Sequence, residues 1–334
     1  MNVSIRGVTA YLPPTLVTDE EVEARIRRHS PGYPLRPGAI AKVSGVRTRH
    51  RAELGEQASD LAVHAADKLL SGLGVDTGEL DLIVFAAAAQ DVMEPATSHI
   101  VAAKLGATCP VFDVKNACNS FLNGVQVAEA LIQTGQHRRI LVCSGELGSR
   151  VARWSVADRE QFADSLAGYT LSDAGAAMLL EASAGGGIFY RDFTADSSSW
   201  HVSSIPGNGA AEGRDPERDG YIRGDGRALL ESVAQQLGPQ LDRALAATGL
   251  TREDFAVFCV HQVATPYLRA LQGLSGLAED KLVVTVADHG NVASCSIPLQ
   301  LSIALESGRC GPGDKVAFIG LAGGTSIGVM FVEL

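Results

Sequence analysis

Basic residues are the minority charge in this chain of 334 residues: 28 Lys and Arg stand against 38 Asp and Glu, a formal net charge of −10. Binding to a nucleic-acid backbone needs a basic face, so nucleic acid is excluded as a main partner. No apolar run approaches the roughly 18 residues of a membrane-spanning helix. The start, MNVSIRGVTAYLPP, lacks the basic and apolar regions of a signal peptide and reads as a first strand, so a cytoplasmic protein is expected. Cysteine is sparse. The six (Cys109, Cys118, Cys143, Cys259, Cys295, Cys310) are too few for a disulfide framework, and no pair has CxxC spacing, so zinc is not expected. Cys143 in ILVCSG and Cys259 in AVFCV lie in strand-like runs, where a buried free thiol is the ordinary reading.

What is present is 46% hydrophobic residues rich in Ala, Val, Leu and Gly, the composition of a soluble α/β enzyme long enough for a sizeable core. Apolar strand-like runs alternate with helix-length segments, the pattern of a mainly parallel sheet covered on both faces. LDLIVFAAAA (80–89), PVFDV and RRILVCSG (138–145) are strands of one half, with helices through SHIVAAKLG and after NAC. DFAVFCVHQV (254–263), LVVTVA and KVAFIG repeat the arrangement in the C-terminal third, with a helix at PYLRALQGL. Phe85 and Phe258, Cys118 and Asn291, and Gly135 and Gly308 keep one offset of 173 residues (258−85, 291−118, 308−135). The chain therefore divides into an N-terminal half (1–182), a connecting Gly/Ser/charged loop region (183–226) and a C-terminal half (227–334). The last is expected to place Asn291 where the first places Cys118.

The stretch FDVKNACNSFLNG (112–124) runs from an extended segment directly into a helix, with Cys118 at the junction. A buried core thiol is one reading. The other is a nucleophile, because the dipole and unpaired N–H groups of a helix start lower a thiol's pKa. His261 ends an apolar strand and is able to face the same place. Asn291 has an N-cap reading as well. His289 reads as a loop residue, and Asp173 as a turn former.

These segments, with SGVRTRHRA (44–52), EPATSHIVAAKLG (94–106), LSDAGAAMLL (171–180), VHQVATP (260–266), HGNVASCSIP (289–298) and GLAGGTSIGV (320–329), resemble the thiolase superfamily, specifically β-ketoacyl-acyl-carrier-protein synthase III and its relatives. The resemblance covers nearly the whole chain. It implies a thiolase-like duplicated α-β-α-β-α layered fold with two halves related by a pseudo-twofold axis, and a homodimer. It also implies acyl transfer from coenzyme A or an acyl carrier protein to Cys118, with His261 and Asn291 completing a Cys-His-Asn triad. Gly324 matches the residue whose N–H joins that of Cys118 in an oxyanion hole. No metal or redox cofactor is implied.

Three departures stand out. The family's adenine-stacking Trp and its basic partner are absent from PGYPLRPGAIAKVSGVRTRH, which favours a carrier-protein donor. Ala264 replaces the last Asn of the family's HQAN. Glu94 stands where the fatty-acid enzymes have an aromatic residue that enters the partner subunit's pocket. In long-chain relatives a glutamate there is the proposed base of a non-decarboxylative Claisen condensation, while the plain reading is an acid at a helix start. The functions implied are carbon–carbon bond formation on an acyl-Cys118 intermediate in secondary metabolism, or acyl transfer to a hydroxyl, amine or second carrier; a non-catalytic docking role is the remaining class. Arg25, Arg27, Arg28, Arg36, Arg150 and Arg153 are the candidate basic patch for an acidic carrier.

Overall fold

Two main sheets with three layers of helices, and two short two-stranded ribbons, make up the protein in a computed structural model that describes residues 2–207 and 219–334. In chain order the N-terminal half comprises β1 (Asn2–Tyr11), β2 (Thr15–Thr18), α1 (Asp19–His29), α2 (Ala39–Ser44), β3 (Thr48–Arg51), α3 (Ala58–Leu73), β4 (Leu82–Ala86), α4 (Thr97–Leu105), β5 (Val111–Val114), α5 (Ser120–Gln133), β6 (Arg139–Leu147), α6 (Arg159–Thr170) and β7 (Asp173–Ser183). There follow β8 (Gly187–Ala195), the short ribbon β9 (Ser203–Ser204) and β10 (Arg223–Gly224), α7 (Gly226–Thr248), β11 (Phe255–Val260), α8 (Thr265–Ser275), α9 (Val286–His289), α10 (Ser296–Glu306), β12 (Lys315–Ala322) and β13 (Ser326–Glu333).

The first sheet has the order β1-β7-β6-β4-β5 and the second the order β11-β12-β13-β8. In each, the strands at one end are parallel (β5, β4 and β6; β11 and β12) and the remaining pairs antiparallel. β4, LIVFA, is buried at every residue, as a strand covered on both faces must be. The buried helices α5 and α10 lie between the sheets, sharing one apolar cluster with strands of both. Helices α3 and α4 cover the outer face of the first sheet, and α7 and α8 that of the second. This is the expected thiolase-like α-β-α-β-α layering. β1, β7, β6 and β4 correspond in order to β8, β13, β12 and β11.

Three sequence expectations are corrected. Residues 183–226 are not a loop region throughout. They contain β8, the edge strand of the second sheet, paired along β13 from Gly187–Glu333 to Ala195–Ser326. Its GIFYRDFTA hides the strand signal because it is neither an unbroken apolar run nor a clean alternation: Phe189 is exposed while Asp192 and Thr194 are half-buried. The polar stretch from 208 to 218 lies outside the described residues. LVVTVA is not a strand either: it makes a single bridge, Leu282 to Phe258, and then turns into α9.

The equivalence of Cys118 with Asn291 also gives way to a different pairing. Ala117 and Ala293 both have φ +47°, and α5 and α10 begin three residues later at Ser120 and Ser296. Ser120 Oγ donates to the Ala117 carbonyl at 2.6 Å, and Ser296 Oγ to the Ala293 carbonyl at 2.8 Å. The helix starts are therefore related by 176 residues (293−117, 296−120), while Gly135 and Gly308 beyond the helix ends keep 173 (308−135). Helix α5 has 14 residues and α10 has 11, which accounts for the difference of three. Cys118 is thus matched by Ser294, and Asn291 lies just ahead of the turn.

Helix α3 rests on a trough made by two glycines paired across β6 and β7, Gly145 and Gly175. A Cβ on Gly145 meets the Ala58 carbonyl oxygen at 1.8 Å, and one on Gly175 meets that of Leu61 at 1.9 Å. Replacing either by Ala pushes a helix backbone off its sheet, so each variant is expected to lose roughly 3 kcal/mol or more of unfolding free energy. Gly72→Ala, on the exposed side of α3 with nothing within 4 Å, is expected to gain about 0.5–1 kcal/mol. Urea unfolding of the three variants checks both signs.

Candidate active site

Cys118 lies between the end of β5 and the start of α5, one residue after the left-handed Ala117. The asparagines on either side of it reach to β13. Asn116 Nδ2 donates to Ser326 Oγ at 3.0 Å and Asn119 Nδ2 donates to the same oxygen at 3.2 Å. These bonds draw the β12–β13 turn, Gly323 to Thr325, toward the cysteine. Gly324 in that turn has φ +80° and has room around its Cα.

His261 follows β11. Its N–H donates to the Ile319 carbonyl of β12 at 2.9 Å, and its Nδ1 lies 3.0 Å from Ser296 Oγ. Because Ser296 Oγ gives its only proton to the Ala293 carbonyl, Nδ1 must carry the proton of that bond. The remaining ring nitrogen, Nε2, is left with its lone pair. Asn291 bonds through its backbone to both sides of the α6–β7 junction: its N–H donates to Thr170 O at 2.8 Å, and its carbonyl accepts from Ser172 N at 2.9 Å. Its Oδ1 accepts the Ala293 N–H at 3.0 Å, which fixes the amide and presents Nδ2 as a donor. His261 and Asn291, 30 residues apart (291−261), are thus held on one four-residue turn, 293–296.

Sequence reasoning did not single out Glu146, at the end of the apolar strand β6. It is 3% exposed, and its carboxylate accepts from Ala88 N at 2.8 Å, Ala89 N at 3.1 Å and Ser294 Oγ at 2.5 Å. The one available signal was a carboxylate closing an apolar run, in a strand buried from Ile140 to Glu146. Ser294, the counterpart of Cys118 in the second half, therefore serves as a donor to this acid. Burial pushes the hydroxyl of Tyr267 in α8 well up, and Cys118 adds to the shift.

Glu94 is not in this cluster. It is exposed in the chain beside exposed Val92 and Met93. The helix-start role is taken by Asp113, whose carboxylate accepts from Thr97 N and Ser98 N at 2.8 Å each. Asp173, the expected turn former, is a buried anchor receiving Ala52 N, Ser149 N and Ser149 Oγ. His289 is half-buried, and its Nδ1 lies 2.9 Å from His50 Nε2. Among the described residues no group of three or more His, Cys, Asp and Glu is placed to hold a metal ion, and no helix is long and apolar enough to cross a membrane.

The chain matches the models for 3-oxoacyl-[acyl-carrier-protein] synthase III over residues 112–197 and for the C-terminal part of that enzyme over 245–334. Two curated relatives named β-ketoacyl-[acyl-carrier-protein] synthase III, from Neisseria meningitidis serogroups B and C, are each 30% identical over 334 residues, covering 98% of both chains. The chain belongs to the β-ketoacyl-[acyl-carrier-protein] synthase III family. Among solved structures, Xanthomonas campestris OleA superposes with a TM-score of 0.89 at 26% identity over 100% of this chain and 99% of that one; its bound molecules are lauric acid and lauroyl-CoA. This synthase III family member is accordingly an acyl-transferring enzyme of the thiolase superfamily.

The electrostatics differ from the sequence expectation of an acidic thiol. The thiol of Cys118 is pushed up to about 12, first by burial and then by the Glu146 carboxylate. The reason is positional: Cys118 precedes α5 by two residues, so burial outweighs the helix dipole. Burial also lowers His261 to about 4, with the Ala293 carbonyl opposing. Both groups therefore rest neutral at pH 7.

Alkylation of Cys118 by iodoacetamide, followed by peptide mass, is expected to be slow at pH 7 and to climb through pH 10 without a plateau. Glu146→Gln removes the charge that opposes the thiolate and moves the profile to lower pH. A plateau below pH 8 in the parent would refute the buried neutral thiol. His261 is neutral when folded and protonates below pH 6.5 when unfolded. Its share of stability, about 3 kcal/mol, is present above 6.5 and is lost as pH falls from 6.5 toward 4. Urea unfolding at pH 7 and pH 4.5 should show a smaller difference in His261→Gln than in the parent.

Proposed function

We propose that this enzyme carries an acyl group on Cys118 and condenses it with a second acyl thioester. The observation that carries this reading is the common anchorage of His261 and Asn291 on the Ala293 turn, which leaves one lone pair, on Nε2, and one donor, on Nδ2. In the first step Nε2 accepts the Cys118 proton as sulfur attacks the thioester carbonyl. The N–H groups of Cys118 and Gly324 hold the tetrahedral oxyanion. Its collapse breaks the carbon–sulfur bond of the donor, and the departing pantetheine thiolate takes the proton from Nε2. In the second step the enolate of the extender accepts a hydrogen bond from Asn291 Nδ2 and attacks the acyl carbon. A carbon–carbon bond forms, the bond to Cys118 breaks, and the thiolate takes a proton from water on the decarboxylative route or the one removed by the base on the other. The chemistry needs no resident metal or redox cofactor.

The enolate has two routes. A malonyl-type extender generates it by losing carbon dioxide. An unactivated acyl thioester needs a base, and Glu94 from a second copy is the residue proposed for it in a homodimer. The exposure of Val92, Met93 and Glu94 together, with the helix start already capped by Asp113, supports that assignment. Solved OleA structures include variants at a cysteine, a histidine and a glutamate, the same three residue types. The donor proposed is an acyl carrier protein, after the named relatives, with acyl-CoA the other class. The absent adenine-stacking Trp, Ala264 and Glu94 favour a dedicated enzyme of secondary-metabolite assembly over the fatty-acid initiator.

Incubation with acyl-CoA and acyl-carrier thioesters, read by intact mass, is expected to give an acyl adduct on the parent and none on Cys118→Ala. Adding malonyl-carrier and following carbon dioxide separates the routes. Release of carbon dioxide with a ketone product means decarboxylative condensation. A β-keto product without it, lowered at least tenfold in Glu94→Gln, means the base-assisted route. An adduct discharged only onto a hydroxyl, amine or second carrier means simple acyl transfer, and no adduct with any donor ends the proposal.

A further inference from the structure

A cavity of about 420 Å³ opens on the far side of the α6–β7 junction, walled by α1, β3 and the segment after β6. Its lining includes Arg25, Arg28, Arg49 and Arg51, with Trp154 on one wall and Glu21 as the one carboxylate. Arg49 is 3% exposed. Its Nε donates to the Tyr169 carbonyl at 2.6 Å and its Nη2 to Asp19 at 3.0 Å, which leaves Nη1 buried with no partner. Arg25 stacks its guanidinium 4.0 Å over the Trp154 ring, and its Nε is likewise buried without a partner. Among the described residues neither Arg28 nor Arg51 is paired with a carboxylate. Arg25 is held below the ordinary arginine range by burial and by the neighbouring charges of Arg51 and Arg28. Four guanidiniums crowded around one hollow, two of them with idle buried nitrogens, repel one another unless an anion lies among them.

We propose that this cavity is an oxyanion site for a phosphate ester, held by Arg25, Arg28, Arg49 and Arg51. A phosphate suits the set because its several oxygens accept from planar guanidiniums at the same time. The phosphate has two possible sources, a free phosphate compound or the phosphate of a pantetheine arm. The wall is shared with the candidate active site. Tyr169 and Leu171 line the cavity, while Thr170 between them accepts the Asn291 N–H, and His50, also in the lining, bonds to His289 two residues before Asn291. An occupant is therefore placed to stiffen the support of Asn291.

Isothermal titration of the full chain bearing Cys118→Ala, with inorganic pyrophosphate and separately with 4′-phosphopantetheine, tests this without depending on acyl chemistry. Binding is expected to weaken roughly tenfold or more in Arg25→Ala/Arg51→Ala and in Arg28→Glu, and to weaken with added salt. None of these three side chains holds a carboxylate among the described residues, so the melting temperature is expected to stay near the parent's. Binding of both probes marks a site for phosphate itself; binding of phosphopantetheine alone, with the same arginine dependence, marks the pantetheine arm as the source. No binding of either probe, or binding that the arginine variants leave unchanged, overturns the proposal.

Discussion

The left-handed turn before each central helix is the constraint on which the rest of the molecule depends. An alanine at φ +47° is strained by about 1–3 kcal/mol, and the chain accepts it twice, at Ala117 and Ala293. Each turn leads into a buried helix, and each is stitched by the serine three residues on. The strain persists because α5 and α10 are locked between two sheets, with residues such as Phe121, Val125, Ile297 and Leu301 almost fully buried. In the first half the turn presents Cys118. In the second it supplies the N–H, carbonyl and serine that hold Asn291 and His261. A duplicated backbone device thus carries unlike chemistry in its two copies.

Most of the layering was legible in the sequence because fully buried strands such as LIVFA and VFCV leave unbroken apolar runs, and helices of a parallel sheet must alternate with them. β8 was not legible. An edge strand with half-exposed residues, set in a Gly- and Ser-rich stretch, shows neither signal. The halves were also aligned by their helix ends, where glycines mark the stop. The true correspondence lies at the helix starts, where a left-handed alanine looks like any other alanine. Glu146 escaped for a related reason: its role comes from backbone N–H groups of residues 88 and 89 and a serine 148 positions away, contacts that no local pattern encodes.

The electrostatic design follows from this burial. A thiol and an imidazole taken out of water each favour their neutral forms, so the site stores no ion pair at rest. In the proposed reaction charge arises only as a proton leaves sulfur, and the oriented dipoles assigned to meet it are the Asn291 amide and the backbone N–H of Cys118. The carboxylate of Glu146 acts in the other direction. After burial, it raises the Cys118 thiol further, and so opposes the thiolate that the proposed reaction requires.

Asn291 is the member of the set with the most remote support. Cys118 and His261 are fixed by elements inside the two sheets, but Asn291 is gripped through Thr170 and Ser172, a short segment between α6 and β7. The same segment receives the Arg49 guanidinium at Tyr169, and Arg49 is in turn tied to Asp19 of α1. The orientation of the Asn291 amide is therefore coupled to the arginine-lined face of the molecule, while the placement of Cys118 is not. In the proposed reaction, perturbations on that face act on the step that needs the Nδ2 donor and leave acylation of Cys118 largely alone. Steady-state turnover and single-turnover acylation would then respond differently to the same substitution, the division expected when one site is held from two independent sides.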